Sequence, residues 1–176
     1  MRCCDEIEFS RLISFDPNLR LSLWKTPEEA RKRILYGMKQ CDIMKISEEE
    51  VAFVSEQESL EKGVSFIRDN SDIKILFVTL GNKGSIAYYK DEKIYCGGIH
   101  QEHVVDTTGA GDTFCGAVLS RILELGTDAL TEKDIREMLL FANAAASIVV
   151  TRKGALCSMP EPEEIRAASS LIDKVL

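Results

Sequence analysis

The chain has 176 residues, 45% of them hydrophobic and 29% charged, with a net charge of −7. That size buries about two thirds of an unfolded chain's surface in one domain, and the composition excludes a disordered chain, a collagen and a disulfide-dependent miniprotein. The acidic balance, with Arg31, Lys32 and Arg33 as the densest basic cluster, disfavours nucleic acid and anionic membranes as partners.

In chain order, Met1–Glu8 carries Arg2, Asp5, Glu6 and Glu8 and no apolar stretch of the kind a signal peptide needs. Leu12–Phe15 is a short strand-like run closed by the turn signal Asp16-Pro17-Asn18. Thr26-Pro27-Glu28-Glu29 opens a helix: Thr26 caps, Pro27 suits the first helical position, and Glu29 completes a capping box. Ala30, Ile34, Leu35 and Met38 give it an apolar stripe. Asp42–Ile46 reads as a second strand. Ser47-Glu48-Glu49-Glu50 is another capping box, opening a helix towards Val54, and a further helix spans about Ser59 to Arg68.

Ile73–Leu80 is the strongest strand, with the near-continuous apolar run of a strand buried on both faces. Gly81-Asn82-Lys83-Gly84 turns the chain into a hairpin, Ser85–Tyr89 and Lys93–Cys96. Gly109-Ala110-Gly111 opens a helix to about Leu125. Thr131 caps another from Glu132 to Val150, and Pro162 starts a last one with Ile165, Ala168, Leu171, Ile172 and Val175 on one side. This order predicts an α/β sandwich with a mostly parallel sheet. The apolar stretches Ile75–Leu80 and Ala144–Val150 are far shorter than the roughly 20 residues of a membrane span. A cytoplasmic protein is expected, its six cysteines present as thiols without C-x-x-C spacing.

The chemistry concentrates in Val105-Asp106-Thr107-Thr108-Gly109-Ala110-Gly111-Asp112-Thr113-Phe114. Glycines flanking a small residue at a helix start let a ligand approach the backbone. The free N–H groups and positive dipole end of the first turn suit an anion. Asp112, inside that turn, is placed to take a proton from an attacking hydroxyl. Phosphoryl transfer needs this pairing of a base with fixed donors. An acidic first turn with no ligand is the bland alternative. The Walker pattern is absent, and Gly109-x-Gly111 lacks the third glycine of a dinucleotide fingerprint, having Phe114 there. Cys96, His100 and His103 lack a fourth zinc ligand and read as a polar loop. No G-x-S-x-G elbow points to a hydrolase.

The stretch resembles the second signature of the pfkB carbohydrate kinase family, the ribokinase-like sugar kinases. Phe15-Asp16-Pro17-Asn18-Leu19-Arg20-Leu21 with Leu23-Trp24 resembles its fructokinase and 2-keto-3-deoxygluconate kinase branch. Thr79-Leu80-Gly81-Asn82-Lys83-Gly84 resembles its nucleotide turn. Phe141 to Ala146 and Val150 to Ala155 resemble the segment closing over adenine and a monovalent cation. The resemblance covers Leu12 to about Pro160.

It implies a ribokinase-like three-layer sandwich, of which residues 1–176 form the C-terminal nucleotide-binding and catalytic portion; Met1–Arg11 matches no family motif, and the family's N-terminal half and β lid have no counterpart. It implies Asp112 as catalytic base, with the N–H groups of Gly109, Ala110 and Gly111 as the anion hole for the γ-phosphate. Asn18 and Arg20 would reach towards substrate or phosphate. Thr79, Gly81 and Gly84 would contact ATP phosphates, and Ala142, Asn143 and Ala146 would border adenine. Asp106, Thr108, Val149, Arg152, Gly154 and Ser158 match positions around a potassium-type ion. Glu50 matches a glutamate that orders Mg²⁺ through water, although the same tetrad is also the capping box.

The activity so implied is transfer of the γ-phosphate of ATP to a primary hydroxyl of a ketose, fructose first. The 176 residues alone are expected to phosphorylate it poorly, and a homodimer through the lid is expected of the full-length form. Another pfkB sugar kinase such as a 2-keto-3-deoxygluconate kinase, a non-catalytic nucleotide-binding remnant, and an NAD-binding oxidoreductase domain are the alternatives.

Overall fold

The computed structural model describes residues 12–154 and 156–172. Five strands form one sheet: β1 (Ser14–Phe15), β2 (Ile43–Ser47), β3 (Ile75–Thr79), β4 (Gly84–Tyr89) and β5 (Glu92–Gly97). They lie side by side in chain order. β1, β2 and β3 are parallel, β4 turns back, and β5 runs with the first three again. Four strands therefore share one direction. Three helices, α1 (Pro27–Met38), α2 (Glu48–Ser55) and α3 (Leu60–Asp69), precede β3. Three more, α4 (Ala110–Leu125), α5 (Glu132–Val149) and α6 (Pro162–Ile172), follow the hairpin.

The two-residue period of a strand sorts the core into two layers. Met44, Leu76 and Tyr88 are neighbours in register, as are Ile46, Val78 and Ile86. They face α1–α3 and pack with Met38, Val54 and Ile67. The alternate residues Ile43, Ile75 and Tyr89 face α4–α6 with Phe114, Val118, Ile135 and Met138. Helices on both faces explain why β3 is apolar from Ile75 to Val78 and why β2 is apolar apart from Lys45 and the terminal Ser47. The result is a three-layer α/β/α sandwich.

Local signals account for the helix starts. Ser47–Glu50 and Thr131–Asp134 are complete capping boxes. Thr26 accepts from the N–H of Glu29, but the reciprocal bond from the Thr26 N–H to the Glu29 side chain is not made; the Glu28 carboxyl lies below its usual range, held there first by its own backbone N–H and then by the Thr26 side chain. Of the stripe expected on α6, Ile165 is buried and Ala168 packs against the core; Val175 lies outside the described residues.

The carboxyl ends of β1, β2 and β3, the Gly84–Gly97 end of the hairpin and the start of α4 meet at one edge of the sheet. Among the described residues no helix is long and apolar enough to cross a membrane.

Candidate active site

A cavity of about 660 Å³ opens at that edge. Thr79, Gly81 and Gly84 line one wall, and Asn143, Ala146 and Val150 of α5 and its end line another. The Gly81–Gly84 turn hugs the end of β5 so closely that a Cβ on Gly84 would sit 2.2 Å from the Cys96 carbonyl, at a backbone φ of +105° that side chains avoid.

α4 supplies the floor through Ala110, Gly111 and Phe114. Its N-cap, Gly109, adopts a left-handed φ of 83° and has no side chain to cap the first turn. The Ala110 N–H donates to the Thr107 carbonyl at 3.3 Å; the N–H groups that follow it in the turn, with the dipole's positive end, suit an anion.

Lys45 completes the floor. It lies mid-strand in β2, in register with Phe77 and next to the Ala87 row, on the face otherwise packed against α4–α6. It is only 7% exposed. Its ammonium stands 3.3 and 3.4 Å from the two carboxylate oxygens of Asp16, the first residue beyond β1. In the other direction it faces Gly111, where an added Cβ would meet Nζ at 2.9 Å. A buried cation has been brought to the positive end of a helix. Sequence reasoning passed over Lys45. The available signal was a lysine in the middle of a strand whose other residues are all apolar or small, a position that tolerates a charge only with a partner.

The comparisons with known proteins bear on this arrangement. The family model described as pfkB family carbohydrate kinase matches residues 2–162. The chain belongs to the pfkB family of carbohydrate kinases. It is 39% identical over 162 residues to a probable fructokinase-4 of Arabidopsis thaliana, across 91% of this chain and 49% of that protein. It is 42% identical over 160 residues to fructokinase-1 of Zea mays, across 90% and 49%. The crystal structure of a fructokinase double mutant from Vibrio cholerae, in a fructose-, ADP- and potassium-bound form, superposes with a TM-score of 0.80 at 33% identity, covering 89% of this chain and 49% of that one. The chain thus spans about half the length of these relatives.

With the pfkB family established, the placement of its expected site residues is informative. Thr79, Gly81, Gly84, Ala110, Gly111, Asn143, Ala146 and Arg20 line the one cavity. Asp112 is exposed in the first turn of α4, beside them in sequence. Ala142 is fully buried in the core, so its side chain does not border the cavity. Asn143 lines the cavity but spends its amide internally: Oδ1 accepts from Ser85 Oγ at 3.0 Å, and Nδ2 donates to the Cys96 and Gly97 carbonyls. It ties α5 to the hairpin. Asn18 is exposed, in a left-handed turn, and its N–H donates to Asp16.

Glu50 turns inward. One carboxylate oxygen accepts from the Ser47 N–H at 2.9 Å and the other from the Leu19 N–H at 2.6 Å. The capping-box reading therefore holds, with an added tether to the loop after β1; Glu49 is the acid that lines the cavity. Asp106 accepts from the Thr108 and Gly154 N–H groups, which joins the loop before α4 to the loop after α5. The Thr108 side chain first, and then those two N–H groups, hold its carboxyl below the usual range. Ser158 donates to the Gly154 carbonyl. Val149 is buried, and Arg152 points outward to Glu164. Cys96 packs in the core while His100 lines the cavity, so the two diverge.

Cys115, one turn beyond Asp112, has its thiol pushed up to about 11 by burial, with the Asp16 charge adding. Burial does the same to Cys41, also to about 11. Neither forms an appreciable thiolate near neutrality. Iodoacetamide at pH 8 is expected to label the exposed Cys157 well before either, read by peptide mass spectrometry. First labelling at Cys115 would show a more open site than the structure has.

Proposed function

We propose that this chain binds ATP in the cavity and carries the phosphoryl-transfer end of a fructokinase, converting fructose to fructose 6-phosphate in the cytosol. The observation that carries this reading is the convergence of the uncapped start of α4 with the Lys45 ammonium. Two positive features at one point call for a polyanion. The nucleoside lies along the Ala146 wall, its phosphates pass the Thr79–Gly84 turn, and the γ-phosphate meets the N–H groups of Gly109 and Gly111 and that of Ala110, which would turn from the Thr107 carbonyl.

In this reading Asp112 takes the proton of the sugar hydroxyl as its oxygen attacks the γ-phosphorus. The bond to the ADP oxygen breaks on the opposite side. The helix N–H groups and Lys45 hold the charge on the equatorial oxygens. Mg²⁺, which favours phosphate oxygens, waters and few carboxylates, fits here as an ion carried on the nucleotide: Glu49 faces the cavity, and Glu50 stands behind it with both oxygens bonded to backbone. It would neutralise phosphate charge. The oxygen-rich junction of Asp106, Thr108, Gly154 and Ser158 suits a potassium-type ion, which would stiffen the loop entering α4. The neighbouring fructokinase with bound fructose supports fructose over 2-keto-3-deoxygluconate.

Calorimetric titration of the chain with ATP and with NAD tests the reading. ATP is expected to bind and NAD not to. Binding of NAD in place of ATP, or of neither, would overturn it.

A further inference from the structure

We propose that Asp16 is the positioning residue of the phosphate end: it holds Lys45 against the backbone at Gly111 and so sets affinity for the polyphosphate, not for the nucleoside. This rests on the ATP-site reading above.

Asp16 is itself held. It follows directly on β1, and its Oδ1 accepts from the Asn18 N–H at 3.2 Å in a turn where Asn18 takes a φ of 43°. Asparagine tolerates that left-handed conformation better than most residues. The Lys45 side chain is 8% exposed and that of Asp16 16%. A buried ammonium needs a fixed counter-charge or it is not kept there. Asp16 provides it symmetrically, with both oxygens 3.3–3.4 Å from Nζ. An ammonium has three donors, so the pair leaves a donor for the Gly111 side, where the absence of a side chain clears the space. An ion pair serving stability alone has no reason to aim its cation at a helix N-terminus, where the dipole opposes it. Burial raises the Asp16 carboxyl, Lys45 lowers it, and the charge of the other nearby acid, Glu50, raises it. Glu50 is committed to backbone N–H groups, which leaves Asp16 as the partner of Lys45.

The test is titration of the full chain with ATP and with adenosine, for the parent, Asp16→Asn, Lys45→Met and the double variant, with circular dichroism as a check on folding. Asp16→Asn is expected to weaken ATP by about 10–100-fold, the worth of a hydrogen bond to a charged group. Adenosine should stay within about twofold, since it does not use that bond. The double variant should bind ATP no more weakly than Lys45→Met alone, because Asp16 acts through Lys45. Unchanged ATP affinity in Asp16→Asn, parallel losses of ATP and adenosine, or additive losses in the double variant would each overturn the proposal. If Asp16→Asn fails to fold, Asp16→Leu combined with Lys45→Met replaces the pair by apolar groups; normal adenosine binding with parent-like ATP affinity in it would also overturn the proposal. A parent chain that binds no ATP would instead defeat the ATP-site reading, and this proposal with it.

Discussion

Replacing Asp112 with alanine is expected to lower turnover of fructose by about 10²–10⁴-fold, the usual worth of a positioned acid–base group. The measurement is steady-state ADP release under conditions in which the parent protein turns over. Asp112 lies in the first turn of α4, on the solvent side of the Ala110–Gly111 floor. In the proposed reading, a sugar hydroxyl arriving from solvent would meet the carboxylate, while the phosphate would rest on the backbone N–H groups. Since the carboxylate contributes nothing attractive to the phosphates, ATP affinity should change little, and its removal is expected to appear as a loss in kcat with KM for ATP preserved. A variant with near-normal kcat would remove Asp112 from the role. A variant losing ATP affinity in step with kcat would assign it to binding.

The second large effect is on stability. Phe77→Ala is expected to destabilise the fold by about 3–5 kcal/mol, the range for deleting a buried phenyl ring. Phe77 is fully buried at the centre of β3, between Lys45 and Ala87 in register. Its ring meets Phe114 edge to face, with centroids 6.3 Å apart and planes at 74°. Phe114 in turn forms part of the cavity floor. The cavity left by alanine lies beneath the site, so weaker ATP binding should accompany the lower stability. Urea unfolding followed by circular dichroism reads the first and calorimetry the second. Leu23→Ala is the control. That side chain is 82% exposed, and surface changes of this kind fall within about 0.5 kcal/mol. Equal effects at the two positions would show that the β3–α4 contact is not the centre of the core.

Much of this was legible in the chain itself because the decisive features are local. Strand and helix periods follow from residue spacing, and the caps at Ser47 and Thr131 from side chains three residues away. The glycines at 109 and 111 mark a helix start that has no side-chain cap. The same locality allowed the motif around Asp112 to be placed in the pfkB family. The short-range signal was less dependable at Thr26, where the hydroxyl caps the Glu29 N–H but the Glu29 side chain does not return the bond.

Other facts required the tertiary structure. Ala142, Asn143 and Ala146 are one segment in sequence, yet helix geometry turns Ala142 into the core, spends Asn143 on Ser85 and the hairpin carbonyls, and leaves Ala146 on the cavity. Glu50 is both a local cap and a tether to Leu19, 31 residues away. Above all, Asp16, Lys45 and Gly111 come from a strand end, a neighbouring strand and a distant helix. Their meeting depends on the parallel register of β1 with β2 and on the packing of α4 over that face. Sequence alone determined the elements, the family and the glycine-rich helix start proposed to receive an anion, since each is written in neighbouring residues. Only the tertiary structure decided which charges converge there, because a side chain's partner across a sheet is set by register and packing.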